Sequence, residues 1–185
     1  MEHFYQNISG FMKDSNKLLF DRVINSLQHK CNWVEVGSFT GQSAAYCIVE
    51  LLNKNKLGEF TCIDSWSGGP EHQNLEIIKE NKLYETFNKN LQPCQGKYKS
   101  IKSLSWEAAE LFTDESLDFV YIDADHRYES VTKDLEAWWP KVKTGCYFAG
   151  DDYTKGHPGV IKAVQNFFPN KTARRMGRCW IVKKV

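Results

Sequence analysis

Five short apolar segments alternate with longer segments of helical period, and this alternation restricts the fold more than any other feature. The apolar segments are Asn32–Val36, Phe60–Ile63, Lys97–Ile101, Leu117–Ile122 and Gly145–Ala149. Strands separated by helices form parallel β-α-β units with right-handed crossovers and with helices on both faces of the sheet. We therefore expect a doubly wound α/β fold around a mostly parallel sheet.

The remaining segments complete this expectation. Helices are predicted from Asp14 or Ser15 onward and at Ala44–Leu52, Gln73–Leu91, Trp106–Phe112, Val131–Trp139 and Gly159–Phe168. The first of these has a predicted apolar face of Leu18, Leu19, Val23, Ile24 and Leu27. Two short strands, Thr172–Met176 and Cys179–Val182, predict an antiparallel C-terminal hairpin and so a seven-stranded sheet. One domain over residues 1–185 is expected, with residues 1–30 as an N-terminal lid and helix segment.

Composition disfavours several classes of protein. The chain has 24 basic and 23 acidic residues, a balance unlike that of domains that bind the phosphate backbone of nucleic acids. No apolar run approaches the roughly 20 residues that a membrane-spanning helix needs, and the N-terminal residues do not resemble a signal peptide. The six cysteines form no C-x-x-C pair, which predicts reduced, mostly buried thiols in a cytoplasmic protein.

The turn after the first strand, Gly37-Ser38-Phe39-Thr40-Gly41, predicts a ligand site. Glycine permits a sharp exit from the strand, and the N-terminus of the following helix presents free N–H groups. The spacing is G-x-x-x-G, so the G-x-G-x-x-G pattern of dinucleotide binding is incomplete. Glu35 is a carboxylate in an otherwise apolar strand, and a ligand with an amine and a sulfonium would complement its charge. The alternative is an ordinary strand–helix turn.

Polar residues also follow the second and third strands. Asp64 ends the second strand, where an acidic side chain can accept both hydroxyls of a ribose, although it could instead cap the loop at Ser65. Ser103, Ser105 and Trp106 follow the third strand and could hydrogen-bond and stack with an adenine ring. Ser105 also fits the N-cap of the next helix.

The fourth strand delivers Asp123, Asp125 and His126 together, and this cluster is the strongest functional signal. Asp151 and Asp152 follow the fifth strand. We therefore predict that Asp123, Asp151 and Asp152 converge on a hard divalent cation through oxygen ligands, with Mg²⁺ as the candidate. Such a cation would lower the pKa of a bound hydroxyl, and His126 could take its proton. The alternative is that Asp151 or Asp152 only caps the next loop.

Together these residues resemble the class I S-adenosylmethionine-dependent methyltransferases and, most closely, the compact methyltransferase 24 family. This family is related to the macrocin-type sugar O-methyltransferases and, more distantly, to the catechol-type enzymes. The matching residues are Glu35-Val36-Gly37 with Gly41 and Ser43, then Asp64-Ser65-Trp66, then Asp123–Tyr128. The match runs in order from about Ile8 to the C-terminal hairpin and implies a Rossmann-like fold.

The resemblance also implies roles for individual residues. The methionine end of S-adenosylmethionine would be held by Glu35, Gly37, Ser38, Gly41 and Ser43, and the ribose and adenosine by Asp64, Ser65, Trp66, Ser103, Ser105 and Trp106. Asp123, Asp151 and Asp152 match the metal positions of magnesium-dependent relatives, and His126 matches a lysine base in the catechol-type enzymes. Two departures are visible: many relatives carry histidine where Asp151 stands, and the long N-terminal extension of the sugar enzymes is missing.

The expected activity is methyl transfer to a hydroxyl of a small molecule, with Asp123 and His126 as catalytic residues. The segments Trp66–Gln73 and Phe4–Met12 are expected to cover the pocket. The sequence does not identify the acceptor and leaves open whether the chain is a homo-oligomer.

Sequence features disfavour three alternative functions. An NAD-linked oxidoreductase is disfavoured by the missing third glycine and by the absence of a Tyr-x-x-x-Lys pair. A non-catalytic S-adenosylmethionine-binding module is disfavoured because Asp123, Asp125 and His126 are kept together. Methylation of nucleic acid or protein is disfavoured by the near-neutral charge and by the lack of an Asn/Asp-Pro-Pro-Tyr turn.

Overall fold

A seven-stranded sheet forms the centre of the computed structural model, which describes residues 1–169 and 172–185. The strands are β1 (Cys31–Val36), β2 (Leu57–Asp64), β3 (Lys99–Lys102), β4 (Leu117–Ile122), β5 (Val142–Gly150), β6 (Arg174–Met176) and β7 (Cys179–Lys183). Their order across the sheet is β3-β2-β1-β4-β5-β7-β6. Strands β1 to β5 pair in parallel, whereas β7 pairs antiparallel with both β5 and β6. The predicted Rossmann-like sheet with an antiparallel C-terminal hairpin is confirmed.

Helices cover both faces of this sheet. They are α1 (Asp14–Ser26), α2 (Gln42–Asn53), α3 (Glu76–Lys79), α4 (Leu83–Asn90), α5 (Ser105–Ala109), α6 (Tyr128–Trp138) and α7 (Pro158–Phe167). Successive side chains of a strand point to opposite faces, so Trp33 belongs to the buried cluster under α1 and α2, and Val34 to the cluster under α6 and α7. None of the described helices has both the length and the apolar content needed to cross a membrane.

The prediction of one continuous helix over Gln73–Leu91 is wrong. The structure has two helices there, α3 and α4, separated by Asn81, which has a φ of 53°. Asparagine tolerates this left-handed conformation, and a single such residue ends a right-handed helix. Periodicity alone does not reveal the break, because apolar residues keep a similar spacing on both sides of it.

Two details of α1 also differ from the prediction. Leu18 is 64% exposed, whereas Leu19 is fully buried, so Leu18 does not belong to the apolar face. The helix is capped by neither Asp14 nor Ser15, because it begins after Lys13, whose N–H donates to Asn16 Oδ1 at 2.7 Å.

The parallel strands bring three polar turns to one edge of the sheet. The N–H of Gly37 donates to the carbonyl of Ile63, at 2.7 Å, and that of Asp123 to Val36, at 2.8 Å. The N–H of Asp151 donates in the same way to the carbonyl at the end of β4, at 3.0 Å. Residues that follow β1, β4 and β5 are therefore neighbours, at the edge where ligands of such sheets bind.

Candidate active site

Two cavities open at the carboxyl ends of the parallel strands and adjoin each other. The acidic cavity, of about 240 Å³, is lined by Asp123, His126, Asp151, Asp152 and Arg178 among others. The loop cavity, of about 500 Å³, is lined by Asp64, the loop 67–70, and Ser103 to Trp106 among others. Both cavities share Gly37, Phe39, His72, Asp123 and Ala124. A molecule in one cavity can therefore meet a molecule in the other beside Gly37 and Asp123.

The loop cavity contains most residues that were predicted to bind adenosine. They are Asp64, Ser65, Ser103, Ser105 and Trp106, and Gly37, which was predicted to hold the methionine end, lines the same cavity. Asp64 accepts the N–H of Phe39 at 2.8 Å with one oxygen and that of Trp66 at 2.7 Å with the other. Burial raises the pKa of Asp64 above its usual value, and these backbone donors act in the opposite direction. Each carboxylate oxygen has a second acceptor position, so both can still bind a hydroxyl.

Gly37 makes the close contact between the two turns possible. Its φ is 89°, and a Cβ at this position would collide with the carbonyl oxygen of Asp123. Ser38 and Ser43, predicted to hold the methionine end of the ligand, line the acidic cavity. The glycine thus allows the first turn to lie directly against the residue that follows β4.

Glu35 is 1% exposed and lies beneath these two serines rather than on a cavity wall. Burial raises its pKa to about 7, the Ser43 and Ser38 hydroxyls lower it, and the charge of Asp64 raises it. Glu35 Oε2 and Ser38 Oγ have no hydrogen-bond partner among the residues that the structure describes. A buried acceptor without a donor is rare and costly, so the pair suits a ligand that brings an N–H donor.

Trp66 and Gly41 do not have the positions expected of ligand contacts. The Trp66 side chain is 2% exposed, and its indole N–H donates to the carbonyl of Phe39 at 2.9 Å. Gly41 has a φ of 87°, and a Cβ there would lie 3.0 Å from the side chain of Leu91. Neither residue lines either cavity. Both residues lie on the core side of the first turn and not on its ligand side.

Asp123, Asp151 and Asp152 converge as predicted. Each offers a carboxylate oxygen, and the three oxygens lie within 4.8 Å of one another. Burial, followed by the charges of Asp151 and Asp152, raises the pKa of Asp123 well above its usual value. Three carboxylate oxygens at this spacing have the chemistry that hard divalent cations prefer.

Cationic side chains already contact two of these aspartates. Arg178 Nε lies 2.9 Å from Asp151 Oδ1, and its Nη2 contacts Asp152 Oδ1. His126 Nε2 lies 2.8 Å from Asp152 Oδ2, and His157 Nε2 lies 3.4 Å from Asp152 Oδ1. Burial acts to raise the pKa of Asp152, but the contacts with His126, Arg178 and His157 outweigh it and lower the pKa to about 2.

His126 is held between two carboxylates. Its Nδ1 lies 2.6 Å from Glu71 Oε1, on the opposite side of the ring from Asp152. Burial lowers the pKa of His126, but Asp152 and Glu71 outweigh this effect and the pKa is raised. The ring lines the acidic cavity, where it can exchange a proton with a molecule bound beside Asp123.

Asp125 does not join the other aspartates. It lines the loop cavity and accepts the N–H of Arg127 at 2.9 Å and the hydroxyl of Ser130 at 3.0 Å. Burial acts to raise its pKa, but the hydrogen bonds from Arg127 and Ser130 outweigh it and hold the pKa below its usual value. Asp125 therefore orders the turn into α6.

Sequence reasoning missed Arg178, His157 and Asn16 as site residues. Asn16 Nδ2 donates to Asp151 Oδ2 at 2.8 Å, and all three residues line the acidic cavity. None of them directly follows a parallel strand, so the pattern that identified the other residues passes over them. Arg178 sits in the turn of the predicted hairpin, and the pairing of β7 with β5 would have been the signal that it lies near Asp151.

The N-terminal segment closes one side of the acidic cavity. Residues Gly10–Lys13 line it, and the N–H of Met12 donates to Gln42 Oε1 at 3.1 Å. Phe4 and Tyr5 pack instead against the buried cluster beneath α1 and α2. Within the predicted cover Phe4–Met12, the second half therefore faces the acidic cavity and the first half packs into the core.

A family model for a methyltransferase domain matches residues 34–153, more than half of the chain. The uncharacterized protein R132 of Acanthamoeba polyphaga mimivirus is 28% identical over 138 residues. That alignment covers 71% of this chain and 57% of the viral protein, so the chain spans little more than half the length of this relative.

Solved structures share the fold. The O-methyltransferase NovP superposes with a TM-score of 0.75 at 15% identity, over 92% of this chain and 80% of NovP. The S-adenosylhomocysteine-bound Podospora anserina methyltransferase PaMTH1 superposes with a TM-score of 0.61 at 7% identity, over 98% of this chain and 92% of PaMTH1. With the matched family model, these similarities lead to one conclusion. The chain belongs to the methyltransferase 24 family, within the class I S-adenosylmethionine-dependent methyltransferases.

Proposed function

We propose that this chain transfers the methyl group of S-adenosylmethionine to a hydroxyl of a small molecule. The observation that carries the proposal is the meeting of the two cavities at Gly37 and Asp123, between a ribose-type site and an acidic pocket with a base. The bond between sulfur and the methyl carbon breaks as the bond to the acceptor oxygen forms, and the hydroxyl proton leaves to the base. Membership of a methyltransferase family and the fold shared with the O-methyltransferase NovP support this proposal.

The residues present fit S-adenosylmethionine in their chemistry. Asp64 has acceptor positions for the ribose hydroxyls in the loop cavity. The unpartnered Glu35 oxygen, beneath Ser38 and Ser43, suits the amine of the methionine end. In this arrangement the methyl group must face the acidic cavity beside Asp123, which lines both cavities.

His126 is the proposed base. When neutral, it can take the acceptor's proton at Nε2 only once Nε2 leaves Asp152 Oδ2, and the imidazolium that results is stabilised by Asp152 and Glu71. Because these carboxylates raise the pKa of the ring, His126 is a stronger base than a free histidine. The reaction otherwise depends mainly on positioning, since in-line displacement needs the acceptor oxygen aligned with the sulfur–carbon bond.

A divalent cation, with Mg²⁺ as the candidate, is the second part of the proposal. Asp123, Asp151 and Asp152 fit it in ligand type and spacing and would hold it. When bound, it would supply a Lewis acid that lowers the pKa of the acceptor hydroxyl. A chelator should suppress methyl transfer and added Mg²⁺ should restore it. Activity that is indifferent to the chelator would remove the cation from the proposal and leave His126 as the source of base catalysis.

Calorimetric titration separates the proposed function from its first rival. S-adenosylhomocysteine should give a saturable heat with the purified chain, and NADH should give none. Binding of NADH without S-adenosylhomocysteine would overturn the proposal in favour of an oxidoreductase. The variant Asp64→Asn tests the proposed ribose site. It should bind S-adenosylhomocysteine about tenfold more weakly than the wild-type chain, the usual effect of losing a hydrogen bond to a charged group.

Labelled methyl transfer to a panel of small hydroxyl compounds separates an enzyme from a binding module. An O-methylated product that forms only with the intact chain is the expected result. Labelled product confined to protein or nucleic acid would contradict the assignment of a small-molecule acceptor.

A further inference from the structure

Two histidines meet one carboxylate at the wall of the acidic cavity. His126 Nε2 lies 2.8 Å from Asp152 Oδ2, and His157 Nε2 lies 3.4 Å from Asp152 Oδ1. The two imidazole rings are neighbours, with their centroids 4.3 Å apart and their planes at 65°. Each of the three residues offers one ligand atom, and these atoms lie within 4.8 Å of one another. The proposed reaction uses His126 but gives His157 no role.

The start of α7 holds this cluster together. His157 directly precedes α7, and the first turn of that helix lies against the turn that follows β4. A Cβ on Gly159 would lie 2.5 Å from the carbonyl oxygen of His126, so this close approach requires glycine. The side chain of Asp152 is 6% exposed, and those of His126 and His157 are 18% and 33% exposed. The cluster is therefore sheltered by packing and still open to an ion from the cavity.

A second carboxylate orients the ring of His126. Glu71 Oε1 lies 2.6 Å from Nδ1, on the opposite side of the ring from Asp152. A neutral imidazole has one N–H, and an Nδ1–H that is donated to Glu71 leaves Nε2 with its lone pair. Histidines that ligate metals in proteins almost always donate their other ring N–H to a carboxylate, a carbonyl or a water in this way. Glu71 therefore favours the tautomer in which His126 Nε2 is a ligand atom.

This set of ligand atoms differs from the three aspartates in the cation that it favours. Carboxylate oxygens suit Mg²⁺, whereas imidazole nitrogens suit Zn²⁺ and similar cations. Two imidazoles, one carboxylate and a fourth position open to solvent form a ligand set that Zn²⁺ takes in proteins. Because Zn²⁺ lies about 2.0 to 2.2 Å from such ligands, His126 Nε2 and Asp152 Oδ2 must separate by about half an ångström to admit it.

We propose that His126, Asp152 and His157 form a second cation site, which prefers Zn²⁺ to Mg²⁺, and that Zn²⁺ bound there inhibits methyl transfer. The preference for Zn²⁺ follows from the two nitrogen ligands. The inhibition rests on the proposed function, in which His126 Nε2 takes the proton of the acceptor hydroxyl. A nitrogen whose lone pair coordinates a cation cannot also accept a proton.

Calorimetric titration of Zn²⁺ into the purified chain, in the presence of excess Mg²⁺, tests the site. The wild-type chain should give a saturable heat. Glu71→Gln removes the partner of a ligand and should weaken Zn²⁺ binding by at least about tenfold. His157→Ala removes a ligand itself and should weaken the binding by at least as much. The matched control is His72→Ala, which removes a histidine that lines the same cavity outside the cluster and should keep the wild-type affinity for Zn²⁺.

The variant Asp123→Asn distinguishes the two cation sites. Asp123 belongs to the group of three aspartates and not to the histidine cluster, so this variant should bind Mn²⁺ more weakly and keep the wild-type affinity for Zn²⁺. The opposite pattern would overturn the inference. If Zn²⁺ binding is lost in Asp123→Asn and kept in His157→Ala, the ion lies among the aspartates.

Labelled methyl transfer gives the second readout, with each rate expressed relative to the rate of the same chain without Zn²⁺. The Zn²⁺ concentration that halves this relative rate should be at least about tenfold higher for His157→Ala than for the wild-type chain. An unchanged or increased rate with the site saturated would contradict the inhibition. A wild-type chain that transfers no methyl group without Zn²⁺ would contradict the proposed function, whereas a lack of saturable Zn²⁺ binding contradicts only the second cation site.

Discussion

Arg178 contacts Asp151 through a hydrogen bond of 2.9 Å from Nε to Oδ1, although the two residues are far apart in the sequence. The same guanidinium also contacts Asp152, and Asn16 donates to the second oxygen of Asp151 at 2.8 Å. The same two aspartates belong to the group that would ligate a divalent cation. Because a guanidinium and a metal ion repel each other, Arg178 and the proposed cation must compete for the two carboxylates.

Replacing Arg178 should strengthen metal binding. In Arg178→Ala the carboxylates of Asp151 and Asp152 lose the cationic partner that they share, so Mn²⁺ should bind about tenfold more tightly than to the wild-type chain, an effect typical of one close charge pair near a protein surface. Titration of Mn²⁺ followed by electron paramagnetic resonance measures this change. Arg175→Ala, in the same hairpin but bonded to the Gly177 carbonyl, is the control. Equal Mn²⁺ affinity in both variants would contradict the predicted competition.

Asp123→Asn should remove turnover while the donor still binds. The carboxylate lies where the two cavities meet and belongs to the proposed cation site, so its loss should lower the rate of methyl transfer by at least about a hundredfold, because the acceptor hydroxyl would then be harder to deprotonate. The affinity for S-adenosylhomocysteine should change by less than about threefold, because Glu35 and Asp64 remain. Initial rates and calorimetry measure the two effects, with the exposed Asp114→Asn as control. Wild-type turnover in Asp123→Asn would show that the catalytic assignment is wrong.

Glu35→Gln should stabilise the ligand-free chain at high pH. The folded pKa of Glu35, about 7, lies above its usual value of 4.5, so folding favours the neutral form and the wild-type chain loses stability as pH rises through 7. The amide variant keeps the shape without the charge. Its free energy of unfolding should exceed that of the wild-type chain by about 3 kcal/mol above pH 7, and by much less near pH 4.5.

Urea unfolding at both pH values measures this difference, and calorimetry should show that the same variant binds S-adenosylhomocysteine about tenfold more weakly. A gain in stability without a loss of affinity would mean that the carboxylate does not meet the ligand. A loss of stability at high pH would contradict the burial argument.

The contribution of Asp118 to stability should depend on pH in the opposite direction to that of Glu35. This 2%-exposed carboxylate accepts the N–H of Asn32 and contacts Lys143 and His29, all at 2.8 to 3.0 Å. Burial acts to raise its pKa, but these three partners outweigh it and lower the pKa below 3.8. The contribution is therefore present above pH 3.8 and is lost as pH falls through the lower, folded pKa.

Asp118→Ala should consequently lose about 2 kcal/mol at neutral pH, the usual effect of removing hydrogen bonds to a charged group. The deficit should narrow below pH 3.8, and unfolding by urea at neutral and acidic pH measures it. Asp114→Ala, which removes an exposed partner of Lys141, is the matched control and should change the free energy of unfolding by less than about 1 kcal/mol. Equal deficits at both pH values would contradict the role given to the charge.

Much of the site was predictable because strand ends are encoded locally. Short apolar segments identified where β1, β2 and β4 end, and therefore placed Gly37, Asp64 and Asp123 at the ligand edge. The local pattern failed where packing reversed an expectation. Trp66 matched a ligand-binding segment, but its indole is more stable in the core, where its N–H meets the carbonyl of Phe39.

The sequence by itself determined the order of strands and helices, the class of fold and the residues that follow each parallel strand. These properties depend on periodicity and turn residues within a few positions of one another. Only the tertiary structure decided that Arg178 contacts Asp151 and that Trp138 donates a hydrogen bond to Ser105 at the wall of the loop cavity. Those contacts join residues from separate elements, and the physical reason is that a buried charge or hydrogen bond depends on which groups packing brings together, which no local pattern contains.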